Sequence, residues 1–208
     1  MSKVYFISDL HLGHEGVIEF AGHFRGGVTN VDEHHKWLID QWNSVVTKHD
    51  MVYVLGDVCF DKEYLPLLKN FKGNKHLILG NHDKFSMEKY NLYFNKVHGF
   101  EKYKGVAWLS HAPIHSGSLR GKWNIHGHVH QNAVDDLRYI NVSVEAVSGK
   151  PISWDDLLQI MEERRCLMKQ DQLKYPPLNQ DKNSREHSII GALTAVTTVT
   201  SKDGAKEE

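Results

Sequence analysis

An α/β sandwich is the fold class this sequence predicts, and three observations carry the prediction. Short β-branched and aromatic runs alternate with amphipathic helical stretches along the first three quarters of the chain. All but the last of those runs stop in a turn bearing Asp, Asn or His, and loops at strand carboxyl ends are where such folds place chemistry. No run approaches the roughly 18 apolar residues that a membrane-spanning helix needs.

The strands read in order are Val4 to Ile7, Met51 to Leu55, His76 to Leu79, Val106 to Leu109, Trp123 to Ile125 and Tyr139 to Val144. Between the first two, Trp37, Leu38, Trp42, Val45 and Val46 fall on one face of a helix from about Asp32 to Val46, with Asp32 near its N-cap. Core packing against a sheet explains those tryptophans. Leu65 to Phe71 forms a second helix begun around Asp61. Trp154 to Met168 forms a late one, capped by Ser153 and carrying Asp155 and Asp156 in its first turn. Beyond it, Lys169 to Lys182 is polar and contains Pro176-Pro177, the signature of a linker, and Ser188 to Thr200 is β-prone. The expected organisation is one domain over 1–168 and a C-terminal arm or partly disordered tail over 169–208.

Composition narrows the function classes. A chain of 208 residues, 40% hydrophobic and 25% charged, buries a core without staples. Its formal net charge of -1 gives no global attraction to nucleic acid or anionic membrane. Cys59 and Cys166 stand far apart and form no CxxC pair, so a thiolate zinc site and a disulfide framework are not expected. Without a signal-peptide core after Met1-Ser2-Lys3, a cytoplasmic location is expected. The unusual count is histidine, at 15, and histidine is the commonest side-chain metal ligand.

Five strand ends gather ligand-type residues. Asp9-Leu10-His11 places a carboxylate and an imidazole two residues apart, on the same side of an extended segment. Gly56-Asp57 offers a carboxylate able to bridge two ions. Gly80-Asn81-His82-Asp83 combines a neutral oxygen and an imidazole in one turn, and His111 and Gly127-His128-Val129-His130 complete the set. Any one of these, taken singly, reads as a turn residue or a surface histidine. Together, in this order, they can close a dinuclear oxygen and nitrogen site.

The ordered set D-x-H, G-D, G-N-H-D, H, G-H-x-H resembles the calcineurin-like metallophosphoesterase superfamily, in particular its short single-domain bacterial and phage members. The match extends to Ser8 through His14 and to Trp42-Asn43 before Val52 to Asp57, and it runs from residue 1 to about 155. The resemblance implies a four-layer α/β/β/α sandwich with metals at the strand carboxyl ends. It implies that Asp9, His11 and His130 hold one ion, that Asp57 bridges, and that Asn81, His111 and His128 complete the second. Every ligand position of the pattern is present, which argues against a relative that has lost its metals.

The implied chemistry is hydrolysis of a phosphate ester. Two divalent ions neutralise phosphoryl oxygens and lower the pKa of a bridging water, whose hydroxide attacks in line. Manganese is the expected activating ion, with iron, zinc or nickel suited to the same ligands. His82 adjoins a ligand without being one, and is expected to stabilise the transition state or protonate the leaving oxygen, with Asp83 orienting its ring. His14 is a candidate for substrate contact or leaving-group protonation, or for a loop hydrogen bond. Arg25 is a candidate phosphate clamp. The short 112–127 segment leaves the site open, with His115, Arg120 and Lys122 as candidates to meet phosphate or a flanking nucleotide. His34, His35, His49, His76, His98 and His187 lack motif context and read as surface or packing residues. The expected substrate is a small phosphodiester, phosphomonoester or nucleotide. The alternatives are a nuclease, for which the scattered Arg and Lys offer no basic groove, and a binding module that holds a nucleotide or protein without turnover.

Overall fold

The computed structural model describes residues 2–174. A compact unit spans Met1–Arg165, and a second begins at Cys166, inside the last described helix. The β-prone Ser188 to Thr200 stretch, and all of the 169–208 arm past Lys174, lie outside the described residues.

The first sheet contains β1 (Val4–Ile7), β2 (Met51–Val54), β3 (Asn74–Ile78), β4 (Lys96–His98) and β9 (Ile152–Ser153), in the order β4-β3-β2-β1-β9. The first four strands are parallel and β9 is antiparallel to β1. The second sheet runs β5-β6-β7-β8, from β5 (Glu101–Tyr103), β6 (Ala107–Leu109), β7 (Trp123–His126) and β8 (Tyr139–Asn141). There β6, β7 and β8 are parallel and β5 is antiparallel to β6.

Alternation along β1 separates the layers. Tyr5 and Ile7 join the core cluster with Leu38, Trp42, Val52, Val54 and Leu77, so helix α2 (Val31–Val45) covers that face. Phe6 turns the other way and meets Tyr103 of the second sheet at 5.3 Å and Trp154 at 5.9 Å. Trp154 opens helix α4 (Trp154–Lys174), whose Arg164 donates to the Leu137 and Tyr139 carbonyls at the start of β8. Helix, two sheets and helix make the four-layer α/β/β/α sandwich.

Several expectations change at this level. Helix α2 begins earlier than Asp32: Asn30 caps Glu33 N, and the Glu33 carboxylate reaches back to Thr29 N. Lys62–Asn70 forms a 3-10 helix capped by Asp61, with Pro66 inside it. The α4 helix passes Met168 and continues to Lys174, so residues 169–174 are helical where a linker was expected. The run Tyr139 to Val144 is not one strand. It leaves the second sheet after Asn141 and bridges Ser8, just past β1, with Ser8 N donating to Val142 O and Val144 N to Ser8 O. That switch sews the two sheets together beside Asp9. Two short helices, α1 (Glu15–Ala21) and α3 (Met87–Tyr90), were not signalled. In α1 only Val17 and Ala21 are buried, too few to draw a hydrophobic stripe.

Candidate metal centre

Each candidate ligand stands just past the carboxyl end of a strand: Asp9 and His11 after β1, Asp57 after β2, Asn81 after β3, His111 after β6, and His128 and His130 after β7. Parallel pairing puts those ends on one edge. The structure brings together Asp9, His11 and His130 in one group and Asp57, His111 and His128 in another, each offering donor atoms within 4.8 Å of one another. Asn81 Oδ1 lies 2.9 Å from His111 Nε2, beside the second group.

The pairs do not converge in the way extended chain would produce. Asp9, His11, Asp57, His128 and His130 all have φ between 52° and 71°, in the left-handed region. Their i, i+2 convergence therefore comes from tight left-handed turns, not from strand pleating. Backbone bonds hold these turns: Asp9 N donates to Gly56 O, His11 N to Asp57 O, and Gly127 N to His111 O. Glycine is obligatory at 127, because a Cβ there would collide with the Ser8 and Asp9 side chains.

The donor set fits divalent metal. Among the described residues Asp9 Oδ1 and His11 Nε2 are buried and have no hydrogen-bond partner, an arrangement that costs about 1–3 kcal/mol per group unless something satisfies them. His11 Nε2 lies 3.7 Å from Asp9 Oδ1 and 3.7 Å from Asp57 Oδ2. That is too long for a hydrogen bond, and suits donors sharing an ion about 2.1 Å from each. Asp57 Oδ2 is also 3.3 Å from His111 Nε2, so its carboxylate faces both groups. Burial would raise the Asp9 carboxyl, yet the neighbouring His11 and His111 hold it well below the usual carboxylate range. Burial likewise works against a charged His111, but Asp57 lifts its pKa above the ordinary imidazole value.

The surrounding residues correct several expectations. Asp83 does not touch the His82 ring. Its carboxylate accepts from Asp57 N (2.9 Å), Val58 N (3.0 Å) and Gly80 N (2.8 Å), knotting the loops after β2 and β3 together. Nor does it cap a helix, since α3 starts at Met87 after Ser86. His82 is half-buried, stacks on Phe60 at 4.6 Å, and donates its backbone N–H to Asp57 Oδ1. Arg25 is no phosphate clamp, because its side chain is fully buried. Its guanidinium is spent on Glu145 (2.6 and 2.8 Å), Asp9 O, Leu10 O and His34. His14 sets its Nδ1 3.0 Å from His11 Nδ1 and stacks on Phe60 at 3.9 Å. With Nε2 on an ion, His11 Nδ1 would carry the proton and donate to His14, which would then orient the ligand. His115 and Arg120 are exposed, and His115 Nδ1 accepts from Gly117 N. Among the described residues no hydrogen bond or ion pair joins His115, Arg120 or Lys122 to either group.

Four residues were missed. Glu145 accepts from His130 Nδ1 at 3.0 Å, and it ends the Tyr139 to Val144 run just as Asp or His ends the others. A search for acids at every strand end, rather than for metal motifs, finds it. Phe60 packs against the rings of His11, His14 and His82, and nothing in its sequence context signals this. His34 and His35 are buried on α2: His34 meets Arg25, and His35 Nε2 accepts from Gly13 N at 2.9 Å. Both support the loop that carries Asp9 and His11.

Comparison with known proteins bears on the family and the fold. A family model described as calcineurin-like phosphoesterase matches residues 2–181. An uncharacterized protein of Methanocaldococcus jannaschii is 37% identical over 179 residues, covering 80% of this chain and 96% of that protein. The gene 66 protein of Mycobacterium phage L5 is 40% identical over 88 residues, covering 40% of this chain and 41% of its own. A crystal structure of a protein of unknown function from Aquifex aeolicus superposes with a TM-score of 0.63 at 27% identity, over 77% of this chain and 100% of that one.

Proposed function

Since the chain belongs to the calcineurin-like phosphoesterase family, we propose that it hydrolyses a small phosphate ester at a dinuclear metal centre, as a phosphodiesterase or phosphomonoesterase. The observation that carries this reading is the pair of abutting donor groups with orphaned, buried Asp9 Oδ1 and His11 Nε2 at their junction. Asp9, His11 and His130 would hold one ion, Asn81, His111 and His128 the other, and Asp57 would serve both. Two divalent ions bound there would neutralise phosphoryl oxygens and lower the pKa of a water, with manganese the first choice and iron, zinc or nickel compatible.

The chain's own groups do the rest. Asp57 is held in place by His82 N on Oδ1, leaving Oδ2 toward His11 and His111. The His82 imidazole stands on Phe60 beside His11 and would give a proton to the leaving oxygen. His14 would accept from His11 Nδ1 and so leave Nε2 free to serve as a donor to an ion. A small substrate is consistent with the net charge of -1, which gives no overall attraction to a long phosphate backbone. The reading includes a cytoplasmic setting, consistent with free Cys59 and Cys166; among the described residues no helix is long and apolar enough to cross a membrane.

Bis-p-nitrophenyl phosphate and p-nitrophenyl phosphate, assayed with Mn²⁺ added to metal-stripped protein, test the proposal and separate diesterase from monoesterase. Turnover should appear with metal, vanish with chelator and return on re-addition. A correctly metallated sample inert toward both, with every divalent ion tried, overturns the enzyme reading in favour of a binding module.

A further inference from the structure

The two donor groups are unequally supported. Around Asp9, His11 and His130, every side chain has an outer partner. Asp9 is fully buried and His11 is 3% exposed. His130 Nδ1 is fixed by Glu145 Oε1 at 3.0 Å, and the Glu145 side chain is itself fully buried. The same oxygen takes Arg25 Nε and Nη2, and Nη2 also donates to the Asp9 carbonyl at 2.8 Å while Nη1 donates to the Leu10 carbonyl at 3.2 Å. One guanidinium thus ties the left-handed turn presenting Asp9 to the carboxylate orienting His130.

In the second group the outer carboxylate, Asp83, holds only backbone N–H groups of the loops carrying Asp57 and Asn81, and among the described residues no outer carboxylate meets either imidazole. His128 and Asn81 are exposed. His111 Nδ1 meets only the neutral Leu55 carbonyl, at 2.8 Å. His128 Nδ1 faces His111 Nε2 at 3.2 Å, so these two rings contact one another where the first group has a buried carboxylate. Ligands already held in place lose less freedom on binding, and outer partners of ligating histidines change metal affinity by about 10–100-fold.

Resting on the metal reading given above, we propose that the buried Arg25–Glu145 pair makes Asp9, His11 and His130 the high-affinity metal site, so that the chain retains one ion while the Asn81, His111 and His128 site exchanges its own with the medium. Arg25 and Glu145 are positioning residues, and neither contacts substrate. Hydrolysis would then follow the free metal concentration through the weaker site alone.

The test is elemental analysis of manganese-loaded full-length protein dialysed against graded concentrations of a chelator. The expected result is loss in two steps, with a plateau at one ion per chain. Asn81→Ala should keep the plateau and lose only the weaker ion, whereas His130→Ala should abolish the retained one. Glu145→Gln should weaken the retained ion roughly 10–100-fold and leave the other unchanged. A merely structural role would weaken both sites together. Because Glu145→Gln strands the Arg25 charge in the core, the double variant Arg25→Met with Glu145→Gln is measured alongside it and should show the same selective loss. Both ions leaving in a single step, or His130→Ala keeping an ion that Asn81→Ala loses, overturns the proposal. A folded protein that takes up no ion overturns the metal reading with it.

Discussion

At Asp9, His11, Asp57, His128 and His130 the backbone is held at positive φ, a conformation that costs a residue bearing a Cβ about 1–2 kcal/mol. Asp, Asn and His tolerate it better than most residues. Five such positions in one site mean the loops are over-determined by their surroundings and that strain is concentrated where ligands must converge. His82 differs, since it shares the loops but not the donor groups. Its imidazole stacks on Phe60 and its backbone alone binds Asp57. His82→Ala should therefore keep both ions by elemental analysis and lower kcat by roughly 10²–10⁴-fold, the span of a general acid. Loss of metal from that variant would make His82 a ligand instead. The identities of the candidate ligands were readable because chemistry restricts them to carboxylate, amide and imidazole. Their backbone conformation was not, since a D-x-H triplet reads the same in a strand or a left-handed turn.

Among elements, the loops after the strands matter more than the strands. β1, β2 and β3 are short and parallel, and their register fixes where Asp9, Asp57 and Asn81 emerge. What joins the emerging loops is Asp83, whose carboxylate gathers three backbone N–H groups from two of them. Asp83→Ala leaves those donors without their acceptor and should lower unfolding free energy by about 2–4 kcal/mol in urea denaturation. It should also weaken metal binding, because Asp57 is one of the residues released. Stability unchanged within error would show that water replaces the carboxylate. The long amphipathic α2 and the β-branched runs were legible as elements, since their burial follows a period of 3.6 or 2. The strand switch after Asn141 was not. Its cause is the pairing of Val142 and Val144 with Ser8, a contact more than 130 residues distant in sequence.

At the scale of the whole molecule, burial of histidines links stability to pH. His34 is fully buried, and burial together with the Arg25 charge lowers its pKa from 6.5 to about 2. His35 packs on the same helix and adds to the lowering. The folded state thus binds fewer protons here than the unfolded chain. The stability contributed by neutral His34 is present in full above the unfolded value of 6.5 and is lost as pH falls from there toward 2. Metal-free protein should lose about 1.4 kcal/mol per pH unit from this group alone once below that value. Denaturation midpoints measured from pH 7.5 to pH 5 should fall less steeply in His34→Gln, which keeps an acceptor for Arg25 but does not titrate. An identical slope in both proteins would assign the acid limb to other groups.

The sequence by itself determined the chemical class of the site and the layered α/β architecture, because ligand type and hydrophobic period are local properties of the chain. It also placed the metal candidates at strand ends, since each motif directly follows a β-prone run. Only the tertiary structure decided what supports them. Arg25 and Glu145 are 120 residues apart, and their pairing depends on two sheets being sewn together at Ser8 and Ser143. An arginine near a metal motif reads as a substrate clamp until burial is known. Burial removes it from solvent and substrate alike, and turns the same charge into the tie that holds Asp9 and His130 in place.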